Sequence, residues 1–282
     1  MNLREIAIEI RELLHNKRLE LGLQFFEENH IYHMLDLNGF LKNDFPSVSS
    51  IYKKFYKPYD THGYSLRMAK GDIQVQQRIL EEWKEKGDFA TNLGSMVHYH
   101  LEIEAIKRNG NYKTVRTPIF EVSDLQIQKG DNMIIAGNKF LDSMSERNCV
   151  LLDTELILGS PELGYVGQAD KSWLVIGKNG NLGLCVTDWK TNQKKNFEKH
   201  YYTKKMYPPF EVFDDTDQYH YSIQLPLYSR LLLWMLRGTK YENISLLGNI
   251  IVLLLDDGTY MEYRVPKYFI DTIMNYDLKK IL

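Results

Sequence analysis

Gly167-Gln168-Ala169-Asp170, followed one β-like run later by Leu184-Cys185-Val186-Thr187-Asp188-Trp189-Lys190-Thr191, is the stretch on which the fold turns. The runs Tyr165 to Ile176 and Leu182 to Trp189 are short and mostly apolar, and Gly177-Lys178-Asn179-Gly180-Asn181 separates them. Apolar runs bounded by glycine and asparagine read as strands joined by a turn. Side chains alternate across a strand, so Asp188 and Lys190 share a face. Register decides whether Asp170 joins them. A two-residue Asn179-Gly180 turn would set Asp170 opposite Trp189 and send Asp188 to the other side. An odd-length loop or a bulge would bring the carboxylates together. We expect one of these, because Gly177 to Gly183 carries three glycines and leaves room for it.

Charges at the end of an apolar strand are costly unless they have a task or a partner. Two carboxylates can hold Mg²⁺ or Mn²⁺, which acts on a phosphodiester as Lewis acid and water activator. A lysine beside them can stabilise charge developing on phosphate oxygens. Taken singly, Asp-x-Lys is also the pattern of a surface salt bridge.

Two helical segments add matching groups. In Gly94-Ser95-Met96-Val97-His98-Tyr99-His100-Leu101-Glu102, His98 and Glu102 share a face at i, i+4. A neutral His98 ring nitrogen could ligate a metal; the alternative is a histidine bonded to Glu102. In Gln224-Leu225-Pro226-Leu227-Tyr228, an amide and a phenol are likewise i, i+4, placed to hydrogen-bond a phosphate or a metal-bound water.

Farther out, residues 1–23 read as an amphipathic helix rather than a signal peptide. Residues 24–45 read as short strands and turns, and Pro46 to Tyr52 as the start of a helix capped by Ser47 or Ser49. A polar helix is expected over 73–87, ending at Gly87, and another over 89–108. Residues 124–147 and 218–237 complete the long helices. Val150 to Leu152 and Thr154 to Leu158 read as separate short strands, with Gly159-Ser160-Pro161 as a break. Leu246 to Leu255 and Tyr260 to Val265 read as later strands, with a short helix closing the chain. Helices, a hairpin, a helix and further strands imply an α/β chain with a mixed sheet flanked by helices.

The 282 residues suit one large domain or two small ones. No apolar run approaches the ~18 residues of a membrane span. Cys149 and Cys185 are too few for a disulfide framework or a four-cysteine metal site, which fits a reducing, intracellular and cytoplasmic setting. The formal net charge of −2 does not favour a nucleic-acid partner. Local clusters do: Lys53, Lys54 and Lys57, then Lys194, Lys195, Lys199, Lys204 and Lys205 directly after the catalytic candidate. Phe197, Tyr201 and Tyr202 in that segment could stack bases. The plainer reading is a solvated basic face.

In their order, Gly94-x-x-x-His98-x-x-x-Glu102, Gly167-x-x-Asp170, Asp188-x-Lys190-Thr191 and Gln224-x-x-x-Tyr228 resemble the RecB-type branch of the PD-(D/E)xK nucleases over roughly residues 90–255. Pro46-Ser47-Val48-Ser49, the Gly94–Glu102 run and Leu184–Thr191 more closely resemble the group of the mitochondrial genome maintenance exonuclease and related phage nucleases. The resemblance implies a restriction-endonuclease-like fold. It implies an N-terminal part, 1–88, framing the DNA path, and a core, 89–282; the long segment 192–217, which has no clear period and contains Pro208-Pro209, departs from the family pattern as an insertion. It implies His98, Asp170 and Asp188 as metal ligands beside Lys190, Glu155 at a family acidic position, and Gln224 and Tyr228 in support. Ser47, Ser49, Lys194, Lys195 and Lys199 are expected on the DNA. The implied activity is Mg²⁺- or Mn²⁺-dependent exonuclease action on single-stranded DNA ends, in company with replication or recombination proteins. The iron–sulfur cluster of some relatives cannot be built from two cysteines. The alternatives are a structure-specific endonuclease and a catalytically weak DNA-binding partner protein.

Overall fold

The structure is a computed structural model and describes residues 2–26, 28–110, 115, 121–198 and 204–281. Helix α1 (Leu3–Glu20) begins with a capping box, in which Asn2 and Glu5 each accept the other's backbone N–H. Strands β1 (Gln24–Phe26), β2 (Ile31–Leu35) and β3 (Leu41–Lys42) form a small antiparallel sheet. Helices α2 (Val48–Tyr52), α3 (Thr61–Met68), α4 (Ile73–Arg108) and α5 (Asp124–Glu146) follow.

The larger sheet comes next: β4 (Val150–Ser160), β5 (Tyr165–Ile176), β6 (Leu182–Lys190), then α6 (Lys194–Phe197) and α7 (Asp217–Met235), then β7 (Ser245–Leu254) and β8 (Tyr260–Arg264). Helix α8 (Lys267–Asn275) lies near the end. The strand order is β4-β5-β6-β7-β8, and only the β6–β7 pair is parallel. A parallel pair needs a crossover, and the segment holding α6 and α7 supplies it. The expected α/β architecture with a mixed sheet is therefore present.

Helices cover both faces of this sheet. On one, Leu93, Val97 and Leu101 of α4 and Phe140 of α5 pack on Leu151, Trp173, Trp189 and Val252. Trp189 is buried, with the Phe140 ring edge-on at 5.2 Å. On the other, α1, α2, α7 and α8 pack on Leu152, Leu174, Leu184, Val186 and Ile251. Each fully buried side chain of this size contributes ~1.5–3 kcal/mol of transfer free energy. The motif residues thus sit on strands held from both sides.

Three local expectations need correction. Gly87 does not end a helix; α4 runs unbroken for 36 residues, through residue 88. A helix-interior glycine costs only ~1 kcal/mol, which the packing of Leu93 to Ile106 outweighs. Val150 to Leu158 is not two strands but part of one, and Gly159 and Ser160 belong to it. The register shift between Leu151 and Asp153 absorbs the irregularity. Residues 192–217 are not wholly irregular, since α6 and an isolated Lys205–Asp214 bridge fall within them.

Candidate metal centre

Lys171 pairs with Thr187 and Ile176 with Leu182, leaving a five-residue, odd-length connection from Gly177 to Asn181. Gly180 takes φ +75° in it, a conformation suited to glycine. One step beyond Lys171–Thr187, this register sets Asp170 opposite Asp188. Asp170 Oδ2 also accepts the Trp189 backbone N–H at 3.2 Å. The expected odd loop thus brings both carboxylates together.

Helix α4 delivers His98, whose Nδ1 lies 3.4 Å from Asp170 Oδ2. The motif glycine one turn earlier has a use: a Cβ on Gly94 would meet Thr191 Oγ1 at 3.4 Å, so the helix runs close past the end of β6. Glu102 takes the Thr154 hydroxyl at 3.1 Å, which ties α4 to β4. Glu155 arrives from β4 with a left-handed backbone, φ +45°. Such a conformation costs a non-glycine residue ~1–3 kcal/mol and collects at functional sites. His98, Glu155 and Asp170 each offer a ligand atom within 4.8 Å of the others. Among the described residues that group does not include Asp188, which stands beside it on β6. Glu155, matched above only to a family acidic position, is thus closer to the ligand set than the carboxylate of the Asp-x-Lys motif.

Asp188 Oδ2 forms an ion pair with Lys190 Nζ. The ammonium also lies 4.1 Å over the Tyr221 ring of α7. Burial disfavours the Lys190 charge, but Asp188 and Tyr221 outweigh it and raise its pKa above the usual lysine range. Burial, then the charge of Asp170, pushes the Asp188 carboxyl up to about 8. Burial acts on Asp170 in the same direction, yet the charges of His98 and Lys190 overcome it and hold Asp170 at about 2. Asp170 and Asp188 therefore titrate as a coupled pair, one carboxyl held low and the other raised. Burial lowers the His98 pKa, with the Asp170 charge opposing, and a neutral ring nitrogen is the form that ligates a metal.

Gln224 and Tyr228 are joined on α7, the Gln224 amide donating to the Tyr228 hydroxyl at 3.0 Å. Gln224 Oε1 is buried with no hydrogen-bond partner among the described residues. Burial and the nearby Asp188 charge raise the Tyr228 pKa, so it keeps its proton. Its ring lies on Gly167, where a Cβ would come within 2.7 Å of Tyr228 Cε1 and of Val48 Cγ2. Gly167 in Gly-x-x-Asp is thus the seat of Tyr228. The Ser47 hydroxyl caps α2 by accepting Ser50 N–H at 3.2 Å and lies 3.0 Å from Ser49 Oγ. Both serines adjoin the start of β5, where Val166 N–H donates to Pro46 O.

Lys194 and Lys195 are exposed on α6 and line a cavity of about 1070 Å³ that reaches Thr191. Lys199, Tyr201 and Tyr202 lie outside the described residues. Phe197 corrects the stacking expectation: it is fully buried against Tyr221 and Tyr263 and offers no face to a base.

Tyr221 and Lys171 were not singled out from sequence. Lys171 is 1% exposed, and its Nζ lies 4.6 Å over the Trp189 ring. Burial lowers its pKa against the pull of Asp170 and Glu155. The available signal was a charged residue next to Asp170 inside an apolar run; for Tyr221 there was none.

Carboxylate oxygens with one imidazole suit a hard or borderline divalent cation such as Mg²⁺ or Mn²⁺. The buried Gln224 Oε1, without a partner among the described residues, leaves an acceptor for a further donor. No family model matches the chain, and no curated protein matches it either. No helix among the described residues is long and apolar enough to cross a membrane.

Proposed function

We propose that this protein is a metal-dependent deoxyribonuclease with a restriction-endonuclease-like fold, of the RecB-type branch of the PD-(D/E)xK nucleases. It acts as an exonuclease on single-stranded DNA ends inside the cell, alongside replication or recombination proteins. The observation that supports this most is the convergence of His98, Glu155 and Asp170 within 4.8 Å, beside the buried Asp188–Lys190 pair. A structural ion pair alone does not call for two further acidic groups and a histidine at the same place.

His98, Glu155 and Asp170 would hold Mg²⁺ or Mn²⁺, with Asp188 adding a ligand once it gives up its proton. The bound cation supplies Lewis-acid polarisation of the phosphate and an acidified water. Lys190 keeps its charge and stabilises negative charge on the phosphate oxygens as the bond breaks. Tyr221 and Asp188 hold that ammonium in place. Tyr228 stays protonated and donates a hydrogen bond, and Gln224 orients it.

The test is end dependence. Labelled linear and circular single-stranded DNA are incubated with the protein in Mg²⁺ or Mn²⁺, with a chelator as control. The proposal expects linear DNA to be degraded only with metal and circular DNA to survive. Cutting of the circle would replace the exonuclease by an endonuclease. An intact linear strand under every metal condition would overturn the nuclease reading.

A further inference from the structure

A second groove near the end of β6 has a chemistry the metal centre does not explain. It is a cavity of about 790 Å³ between the Tyr56–Arg67 segment and residues 204–207. The Tyr59 and Tyr64 rings line it as a nearly parallel pair, 4.9 Å apart and 10° from coplanar. The Arg67 guanidinium lies 4.4 Å over the Tyr64 ring and the Lys204 ammonium 5.5 Å from it. Tyr59 is 59% exposed, so a large aromatic surface faces the groove without being needed in the core.

The charges within it are not balanced evenly. Its carboxylates have partners within the protein: the exposed Asp60 caps α3, Asp215 takes His220 Nε2 at 2.6 Å, and Asp217 takes the Asn192 amide at 3.2 Å. The cations Lys57 and Arg67 sit exposed on the rim. The groove also connects with the site. Asn196 and Asp217 line both this cavity and the one that reaches Thr191, the residue after Lys190. The two cavities thus share a wall between the end of β6 and the tyrosine pair.

We propose that this groove is the track of a single-stranded nucleic acid, with an unpaired base stacked on the open face of Tyr59, which Tyr64 backs, and phosphates against Lys57, Arg67 and Lys204. The inference deepens the nuclease reading and rests on it for the direction of the strand. Aromatic faces interleaved with cations match single strands, because every unpaired base has a π-face and every linkage a charge. A duplex has its bases already stacked and presents only phosphates to such a groove.

The test reads binding, not cleavage. Fluorescence anisotropy of a labelled oligothymidylate is followed in chelator with wild type, Tyr59→Ala and Tyr59→Phe. Tyr59 is mostly exposed, so neither variant threatens the fold, and circular dichroism checks this. Tyr59→Ala is expected to weaken binding about tenfold, the effect of one lost stack, and Tyr59→Phe to retain it. Duplex DNA is expected to bind weakly and equally to all three. Equal oligothymidylate affinity in Tyr59→Ala and wild type would overturn the track. So would competition by polyglutamate as effective as that by oligothymidylate, since the groove would then be merely cationic. Tight, Tyr59-dependent binding without metal-dependent cleavage would overturn the nuclease reading and leave the track standing.

Discussion

Gly167→Ala puts the coupling between the motif glycine and the proposed chemistry to a direct trial. The added Cβ would stand 2.7 Å from both Tyr228 Cε1 and Val48 Cγ2. Ordinary contact begins near 3.4 Å, so each neighbour must retreat by roughly 0.7 Å. Neither is a flexible tip: Val48, the first residue of α2, is 1% exposed, and Tyr228 is 7% exposed and bonded to Gln224. Overpacking of this kind costs ~1–3 kcal/mol, which lowers Tm by about 2–10 °C in a chain of this size. Functional groups need placement within ~0.5 Å, and a misplacement near ~1 Å can cost ~100-fold in rate. DNA cleavage is therefore expected to fall about 10–100-fold while metal affinity holds, since no metal ligand has moved. Thermal melting by circular dichroism and cleavage of a labelled strand give the two readings. Wild-type Tm together with wild-type cleavage would refute the argument that Gly167 seats Tyr228.

The contrasting change is Gly87→Ala, in the exposed middle of α4 with nothing within 4 Å of the new Cβ. It should stabilise the protein by about 0.5–1 kcal/mol in a denaturant titration, and a loss would contradict the continuous helix. Lys190→Ala should reduce the cleavage rate ~100–1000-fold with little change in DNA affinity; a pure binding defect in single-turnover kinetics would count against its role. Because Asp188 is held at about 8, an entering cation must displace a proton below that pH. Mn²⁺ affinity measured by calorimetry should thus tighten as pH rises toward 8 and then level off, and a flat profile would contradict the assignment.

Much of this centre was legible because strand periodicity is a strong constraint. Asp188 and Lys190 at i, i+2 had to share a face, and the glycine-rich Gly177–Gly183 linker pointed to the odd loop that adds Asp170. Helical spacing placed Gln224 and Tyr228 together in the same way. What escaped depended on distant packing. Glu155 was named from the resemblance, but its place in the ligand group comes through a left-handed backbone that no local pattern announces. Tyr221 meets Lys190 only because α7 crosses the strand ends. Phe197 looked like an exposed aromatic among lysines, yet it is drawn into the core by Tyr221 and Tyr263. Gly87 looked like a stop, and the tertiary contacts of α4 outweighed its propensity.

The proposed metal-dependent nuclease activity rests on the carboxylate cluster around Asp170 and Asp188. The most direct measurement is degradation of end-labelled linear single-stranded DNA by wild type and Asp188→Asn, side by side in Mn²⁺. Asparagine keeps the shape and removes the ligand charge. The account expects metal-dependent degradation by wild type, none above background by a folded Asp188→Asn, and none by either in chelator. Degradation by Asp188→Asn at a rate near wild type would contradict it.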